Sequence, residues 1–159
     1  MPCACGGFSV SAAGIWMRAA LCEAEQAAAM GEVPIGAVAV VGDAIIARAH
    51  NVREATHNPL GHAEILLIEQ VSRTRQAWRL DDVTVVVTCE PCLMCVGAML
   101  QARIPRVIYG CADPKAGACG SLYTAHNDPR LNHRIDAVSG VSADECGALL
   151  SVFFRARRG

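Results

Sequence analysis

Apolar and polar positions follow two different periods along the chain, and the changes between them predict alternating helices and strands. Stretches rich in alanine and other strong helix formers, or with apolar residues at helical spacing, predict helices. These helices cover residues 11–30, 62–73, 92–101 and 143–155. Gly31 is expected to end the first helix, and Pro91 suits the first position of the third. Ser142, with Glu145 three residues later, has the pattern of a capping box.

Short apolar runs between these helices predict strands. Residues 35–41 and 44–49 are separated by Gly42 and Asp43, a pair typical of a β-hairpin. Residues 83–88 form a continuous run rich in β-branched side chains, which is typical of a strand buried on both faces. Residues 106–109 predict one more short strand. The segment 111–132 is rich in Gly, Pro, Asn and Asp, and we expect a long loop with short helical pieces.

The order of these elements predicts the fold. A strand–helix–strand unit in the middle of the chain implies a parallel crossover, whereas the hairpin supplies an antiparallel pair. A mixed sheet with helices on both faces follows. No repeat, low-complexity tract or linker divides the 159 residues. We therefore predict one domain over residues 1–159, with residues 1–10 as a loose lead-in.

Composition and charge narrow the function. Hydrophobic residues make up 53% of the chain and aromatic residues only 4%, which favours an α/β layered core over a sandwich of large aromatic side chains. The net charge of −1 argues against a general polyanion binder. Local positive charge remains, because Arg155, Arg157 and Arg158 crowd the end of the chain. Such a patch can guide a nucleic acid even on a neutral protein.

Nine cysteines are many for this length. A secreted disulfide scaffold is one interpretation, but the odd count, the apolar content and the lack of an export signal oppose it. No apolar stretch has the length that a membrane span requires. We therefore expect a cytoplasmic protein without a membrane partner. In that environment, closely spaced cysteines more often bind a metal than pair with each other.

Two segments at predicted helix N-termini carry the candidate chemistry. His62 and Glu64 begin one helix, and Cys92 and Cys95 begin the next. A helix start stabilises a thiolate, which is the form that zinc binds. One imidazole and two thiolates make three zinc ligands and leave a tetrahedral position open for water, as in catalytic sites. Glu64 is then placed to take a proton from that water and pass it to a leaving nitrogen.

Each motif alone has a simpler explanation. A histidine at a helix start is often structural, and a lone Cys-x-x-Cys can be a redox dithiol. In this order they match the H-x-E and P-C-x-x-C signature of zinc-dependent nucleobase deaminases. Cys89 is evenly spaced with the two cysteine ligands and could close the metal site, but we expect it to pack in the core. The remaining cysteines are interpreted as small hydrophobic residues or exposed thiols; they are Cys3, Cys5, Cys22, Cys111, Cys119 and Cys146.

With these motifs, the sequence resembles the cytidine-deaminase superfamily and, more narrowly, the bacterial tRNA-specific adenosine deaminases. The resemblance runs from about residue 16 to residue 158. The loop at residues 117–122 and the last helix point to the tRNA branch. Matching stretches are residues 32–38, 51, 62–64, 90–95, 97–99, 103–104, 117–122, 132–134, 143–146 and 149–158.

The resemblance implies a cytidine-deaminase-like α/β/α fold of three layers, with a mixed central sheet of about five strands. It implies hydrolysis of adenosine to inosine at the wobble position of a tRNA anticodon stem-loop, one zinc ion per subunit, and a homodimer. Asn51 would hydrogen-bond the target nucleoside and Ile35 would line the base pocket. Flanking nucleotides would meet Asp113 and Lys115, and the last helix, including Phe154 and Arg155, would hold the anticodon loop.

Simpler alternatives stay open for these residues and for the function. Asn51 can be a turn residue, Ile35 plain core, and Asp113 the start of a turn before Pro114. A guanine or cytosine deaminase of the same fold would share the zinc motif but would not need the loop at residues 117–122 or the arginine-bearing last helix. A zinc-stabilised scaffold without activity would not depend on Glu64.

Overall fold

The computed structural model describes residues 11–158, so the predicted lead-in lies outside the described residues. Over that range the chain forms four α-helices, five β-strands and one short 3-10 turn at Ala125–Asn127. The helices are α1 (Ala12–Ala29), α2 (Ala63–Arg75), α3 (Leu93–Gln101) and α4 (Ala143–Arg158). The strands are β1 (Gly36–Val41), β2 (Ala44–His50), β3 (Thr84–Cys89), β4 (Arg106–Cys111) and β5 (Asp136–Val138).

The five strands form one mixed sheet in the order β2-β1-β3-β4-β5. β1 runs antiparallel to both β2 and β3, and β3, β4 and β5 run parallel to one another. Gly42 and Asp43 close the hairpin between β1 and β2, as predicted. β3 is buried along nearly its whole length, in agreement with its β-branched sequence.

Helices cover both faces of the sheet. Because successive strand residues point to opposite faces, Val85 and Val87 pack with Leu67 of α2 and Met99 of α3, while the intervening Val86 does not. Val86 packs on the other face, in the cluster that contains residues of α1 and α4. The predicted three-layer α/β/α architecture with a mixed sheet is confirmed.

Two glycines let the helices of the second face approach the sheet closely. A Cβ atom at Gly36 in β1 would overlap the backbone of α1 at Ala20 and Ala24. A Cβ at Gly110 in β4 would overlap the side chain of Cys146 in α4. The absence of these side chains therefore sets how near α1 and α4 lie to the sheet.

The structure confirms one of three sequence predictions about helix ends and corrects the other two. Gly31 follows α1 with φ 80°, and the N–H groups of Gly31 and Glu32 bond back to the last turn, so it ends the helix as predicted. Pro91 is not the first residue of α3; it precedes the N-cap, Cys92, whose extended backbone pairs with Gly117.

The predicted capping box at Ser142 is wrong. Ser142 has a left-handed backbone (φ 52°), and neither bond of a capping box with Glu145 occurs among the described residues. A capping side chain needs an extended backbone to reach the N–H groups of the first turn. β5 was not predicted at all, because its three residues are too few to show a period.

Over residues 11–158, none of the helices combines the length and the apolar character needed to cross a membrane.

Candidate metal centre and substrate cleft

The strand register gathers the ends of four strands at one edge of the sheet. Gly36, which begins β1, pairs with His50 at the end of β2, and Cys89 at the end of β3 pairs with Cys111 at the end of β4. Since β1 is antiparallel to β2 and β3, its beginning lies beside their ends. Residues that flank these strand ends therefore meet at this edge, although they are far apart in the sequence.

The imidazole of His62 and the sulfurs of Cys92 and Cys95 converge there. His62 is the N-cap of α2, Cys92 is the N-cap of α3, and Cys95 lies in the first turn of α3. His62 Nδ1 lies 3.6 Å from Cys92 Sγ and 3.5 Å from Cys95 Sγ, and all three donor atoms lie within 4.8 Å of one another. A tetrahedral zinc site with ordinary bond lengths separates nitrogen and sulfur ligands by about 3.5–3.6 Å. The donor set therefore fits zinc in both chemistry and spacing.

The groups around Cys92 favour its thiolate form, which is the form that binds a metal. A hydrogen bond from the Cys95 thiol and another from His62 lower the pKa of the Cys92 thiol to about 4. The shared hydrogen bond raises the pKa of the Cys95 thiol. The hydrogen bond to Cys92 also raises the pKa of His62. The position of Cys92 at the positive end of α3 favours its thiolate further.

Glu64 lies beside this donor set in the first turn of α2 and is buried. Burial raises the pKa of its carboxyl group, and a hydrogen bond from the backbone N–H of Glu64, together with a weaker effect of a hydrogen bond with Cys95, partly opposes that rise. The carboxyl group does not belong to the cluster of converging donor atoms. A buried carboxyl with a raised pKa next to a candidate metal centre is suited to accept and release a proton.

Asn51 is buried directly after β2 and joins the edge to the start of α2. Its side-chain oxygen accepts a hydrogen bond from the N–H of Ala63 (2.8 Å), and its own N–H donates to the carbonyl of Ile35 (3.1 Å). Among the described residues, the side-chain amide nitrogen of Asn51 donates to no protein group, nor is it a buried atom without a partner. It therefore keeps its hydrogen-bonding capacity for a group other than these residues.

The other five predicted substrate-binding residues line a single cleft of about 690 Å³ beside Cys89. Its walls come from the segment before β1, the loop after β4 and the end of α4, and they include Ile35, Asp113, Lys115, Phe154 and Arg155. The metal-site residues are not part of this wall. The structure thus divides the predicted site into a donor cluster with Asn51 and an adjoining cleft.

Cys89 packs in the core as predicted. It is buried, and a hydrogen bond with Cys111 on the neighbouring strand raises the pKa of its thiol. It does not join the donor cluster at His62. The cysteines at positions 119 and 146 are buried and Cys22 is exposed, while Cys3 and Cys5 lie outside the described residues.

Two buried carboxylates near the site carry roles that the sequence analysis missed. Glu32 accepts hydrogen bonds from the N–H groups of Glu54 and Ala55, in the loop between Asn51 and α2. Glu90 accepts hydrogen bonds from the loop after β4. For Glu90 the sequence carried one signal, an acidic residue directly after a strand buried on both faces, where an uncompensated charge is costly. Glu32 lies between α1 and β1 and had no such signal.

Comparison with known sequences points to one family. The sequence profile of the MafB19-like deaminases matches residues 12–158. The tRNA-specific adenosine deaminase of Bacillus subtilis (strain 168) is 46% identical over 144 residues, which cover 91% of this chain and 89% of the relative. The tRNA-specific adenosine deaminase of Haemophilus influenzae is 44% identical over 144 residues, covering 89% of this chain and 83% of the relative.

Comparison with solved structures also finds deaminases. A structure from studies of A-to-I editing by tRNA:A34 deaminases at the wobble position of transfer RNA matches with a TM-score of 0.82 and 38% identity, covering 86% of this chain and 99% of that one. A guanine deaminase from Nitrosomonas europaea matches with a TM-score of 0.68 and 18% identity, covering 92% of this chain and 85% of that one. The second similarity concerns the fold alone, and the expected deaminase-type fold is confirmed.

Proposed function

The chain belongs to the MafB19-like deaminase family and, within it, to the tRNA-specific adenosine deaminases, and we propose that it converts adenosine to inosine at the wobble position of a tRNA anticodon loop. The observation that carries the deaminase chemistry is the convergence of His62, Cys92 and Cys95 at tetrahedral spacing with the buried Glu64 beside them. The choice of tRNA as substrate is supported by the 46% identity to a tRNA-specific adenosine deaminase over 91% of this chain. In the net reaction, water attacks the amino-bearing ring carbon, a C–O bond forms, the C–N bond breaks and ammonia leaves.

We assign one zinc ion per chain to His62, Cys92 and Cys95. When bound, zinc supplies Lewis acidity that makes water nucleophilic near neutral pH. The protein holds the ligands in place through the N-caps of α2 and α3. The side-chain oxygen of Asn51 accepts a hydrogen bond from the N–H of Ala63, the first residue of α2. This bond holds the start of α2 in place and so sets the position of His62.

Glu64 is the proton carrier in this proposal. Its carboxylate takes a proton from the attacking water and passes it to a ring nitrogen of adenine as the C–O bond forms. It then takes the proton of the new hydroxyl group and gives it to the amino group, so that the C–N bond breaks, ammonia leaves and the carbonyl of inosine remains. Burial supports this role because it raises the pKa of the carboxyl group above its usual value, which favours holding the accepted proton until it is passed on. Among residues 11–158, no carboxyl group belongs to the donor cluster itself, and the one carboxyl group that lines the cleft is that of Asp113.

The substrate contacts we propose are those of the adjoining cleft and of Asn51. The side-chain amide nitrogen of Asn51 donates to the target nucleoside, and Ile35 lines the pocket for its base. Asp113 and Lys115 meet flanking nucleotides, while Phe154 and Arg155 hold the anticodon loop. An RNA loop suits this arrangement because its bases can be splayed out without melting a duplex.

The decisive experiment is an inosine assay with purified, zinc-loaded protein and a panel of anticodon stem-loops. We expect inosine only in loops with adenosine at the wobble position, and none in matched loops with guanosine there. Ammonia release from free guanine and cytosine is measured in parallel. Turnover of a free base without inosine formation in any loop would contradict the tRNA assignment and favour the small-molecule alternative.

We also propose a homodimer working in the cytoplasm, as the family resemblance implies. A groove beside α3 supports the dimer, because it includes the apolar side chains of Leu93 and Leu131, which are 50% and 45% exposed. Apolar side chains exposed together often mark a protein–protein contact. Sedimentation equilibrium tests this proposal: a mass of one chain at micromolar concentration would contradict it.

A further inference from the structure

A single buried carboxylate, that of Glu90, lies between the metal-ligand segment and the loop of residues 112–122. Only 3% of Glu90 is exposed. Its Oε1 accepts hydrogen bonds from the N–H of Asp113 (3.2 Å) and the hydroxyl of Ser121, and its Oε2 accepts from the N–H groups of Cys119 (3.0 Å) and Ser121 (3.1 Å). All four donors belong to the 112–122 loop.

Among residues 11–158, the hydrogen bonds that compensate the charge of the Glu90 carboxylate all come from this loop. Among the described residues, no ion pair involves Glu90. A buried carboxylate without hydrogen-bond partners is strongly unfavourable, so any opening of the loop leaves an uncompensated charge. The carboxylate can therefore stay buried at low cost only while the loop keeps the conformation that supplies these hydrogen bonds.

The same loop is bonded to the segment that carries the metal ligands. The N–H of Ala118 donates to the carbonyl of Pro91 (2.8 Å), and Cys92 pairs with Gly117 as an isolated bridge. On the other side, the N–H of Glu90 donates to the carbonyl of Cys111, where the loop begins (2.9 Å). Glu90 thus lies at the junction of the donor cluster and the cleft.

Gly117 shows how tightly the loop closes around the carboxylate. A Cβ atom at this position would overlap the Glu90 carboxyl group. Any other residue at position 117 would push the carboxylate or the loop away. The contact can therefore be disturbed from either side, by changing Glu90 or by changing Gly117.

We propose that Glu90 is a positioning residue: by holding the 112–122 loop against the metal-ligand segment, it sets where Asp113 and Lys115 face the RNA relative to the reacting base. This inference rests on the proposed function. It predicts that loss of the Glu90 contacts weakens RNA binding more than it slows the chemical step, because Glu90 acts through cleft residues and not on the reacting atoms.

The test compares Glu90→Gln with wild type and with Val83→Ala. Glutamine keeps the size of the side chain but puts an NH₂ group against two loop donors. Val83 is 1% exposed and directly precedes β3, at the opposite end of the sheet from the loop. Its replacement by alanine lowers stability without touching the loop. Three quantities are measured: zinc per chain, amide hydrogen exchange of peptides covering residues 112–124, and KM and kcat for an anticodon stem-loop.

For Glu90→Gln we expect full zinc content, exchange in the 112–124 peptides about tenfold faster than in wild type, KM raised about tenfold and kcat within about threefold. Val83→Ala should leave the exchange of these peptides and KM unchanged. Gly117→Ala should reproduce the Glu90→Gln pattern, and the double variant should be little worse than either single one, because both remove the same contact.

Each result decides a different point. If zinc-loaded wild type makes no inosine, the proposed function fails, while the exchange measurement still tests whether Glu90 holds the loop. If wild type is active but Glu90→Gln has wild-type exchange and KM, the positioning role is wrong. Loss of zinc in both Glu90→Gln and Gly117→Ala would also overturn it, since Glu90 would then serve the metal site. Should Glu90→Gln fail to fold, Gly117→Ala and Ser121→Ala make the same comparison.

Discussion

Glu64 and the three donor residues differ in what they do, although they lie within one small volume. His62, Cys92 and Cys95 present converging donor atoms, whereas the carboxyl group of Glu64 lies outside that set. Removing a donor should therefore remove the metal. Removing the proton carrier should leave the metal and stop the reaction.

The first prediction concerns Glu64→Gln. We expect this variant to bind one zinc ion per chain and to lower kcat by at least about 10²-fold, because a positioned general acid–base group contributes that much or more. Zinc content and inosine formation are measured on the same sample. Undiminished turnover would support the scaffold interpretation, in which Glu64 has no catalytic role.

The second prediction separates Cys89 from the metal ligands. Cys92→Ala should lose zinc, because two donors hold it much less tightly than three, whereas Cys89→Ala should keep one zinc ion per chain. Metal analysis after dialysis against a weak chelator gives the answer. Equal loss of zinc from both variants would indicate a closed site of four ligands.

At the scale of elements, close packing of α1 on β1 depends on Gly36. Gly36→Ala adds one methyl group where the backbone of α1 leaves no space. We expect this change to lower the free energy of unfolding by about 1–3 kcal/mol, the usual cost of overpacking. Denaturant unfolding at fixed protein and zinc concentration measures it, since bound metal and dimerisation also shift stability.

Gly147→Ala in α4 is the matched control. A Cβ at Gly147 meets the Cβ of Cys111 at 3.8 Å, an ordinary van der Waals contact, and alanine is the better helix former by about 1 kcal/mol. This variant should be as stable as wild type or slightly more so. A similar loss of stability in both variants would mean that the lack of space at Gly36 is not the cause.

At the scale of the whole molecule, the net charge of −1 means that the proposed binding of RNA depends on local positive charge. Arg155 and Arg158 line the cleft and make no hydrogen bond within residues 11–158, so both are available to phosphates. Arg157 is partly engaged, because its guanidinium donates to the carbonyl of Gly31 and lies over the ring of Phe153 at 4.7 Å.

The fourth prediction follows from that difference. The double variant Arg155→Ala/Arg158→Ala should weaken binding of an anticodon stem-loop and reduce the slope of log K against log salt by about 1.4, at about 0.7 for each lost phosphate contact with a single strand. Fluorescence anisotropy over a range of salt concentrations measures both. Arg75 is the control, because its guanidinium pairs with Asp82 and does not line the cleft. The variant Arg75→Ala should leave the slope unchanged.

Much of the fold was predictable because helix and hairpin signals are local. The alanine-rich α1 and the turn at Gly42 and Asp43 depend on neighbours within a few residues. The errors occur where distant partners decide. Cys92 has an extended backbone because it pairs with Gly117. The helix therefore begins after Cys92 and not at Pro91. β5 forms because β4 offers a free edge with which three residues can pair.

By itself, the sequence determined which residues we propose as the reacting groups. His62, Glu64, Cys92 and Cys95 could be chosen from spacing, because a helix start presents ligands two or three residues apart on one side. Only the tertiary structure decided how the rest of the site is arranged. The strand register brings Ile35 and Asn51 to the same edge as the donor cluster. Glu90 meets donors from 23 to 31 residues away, and a carboxylate in a strand–turn sequence gives no sign of which backbone will close around it. Long-range burial, unlike local spacing, has no period that can be seen along a chain.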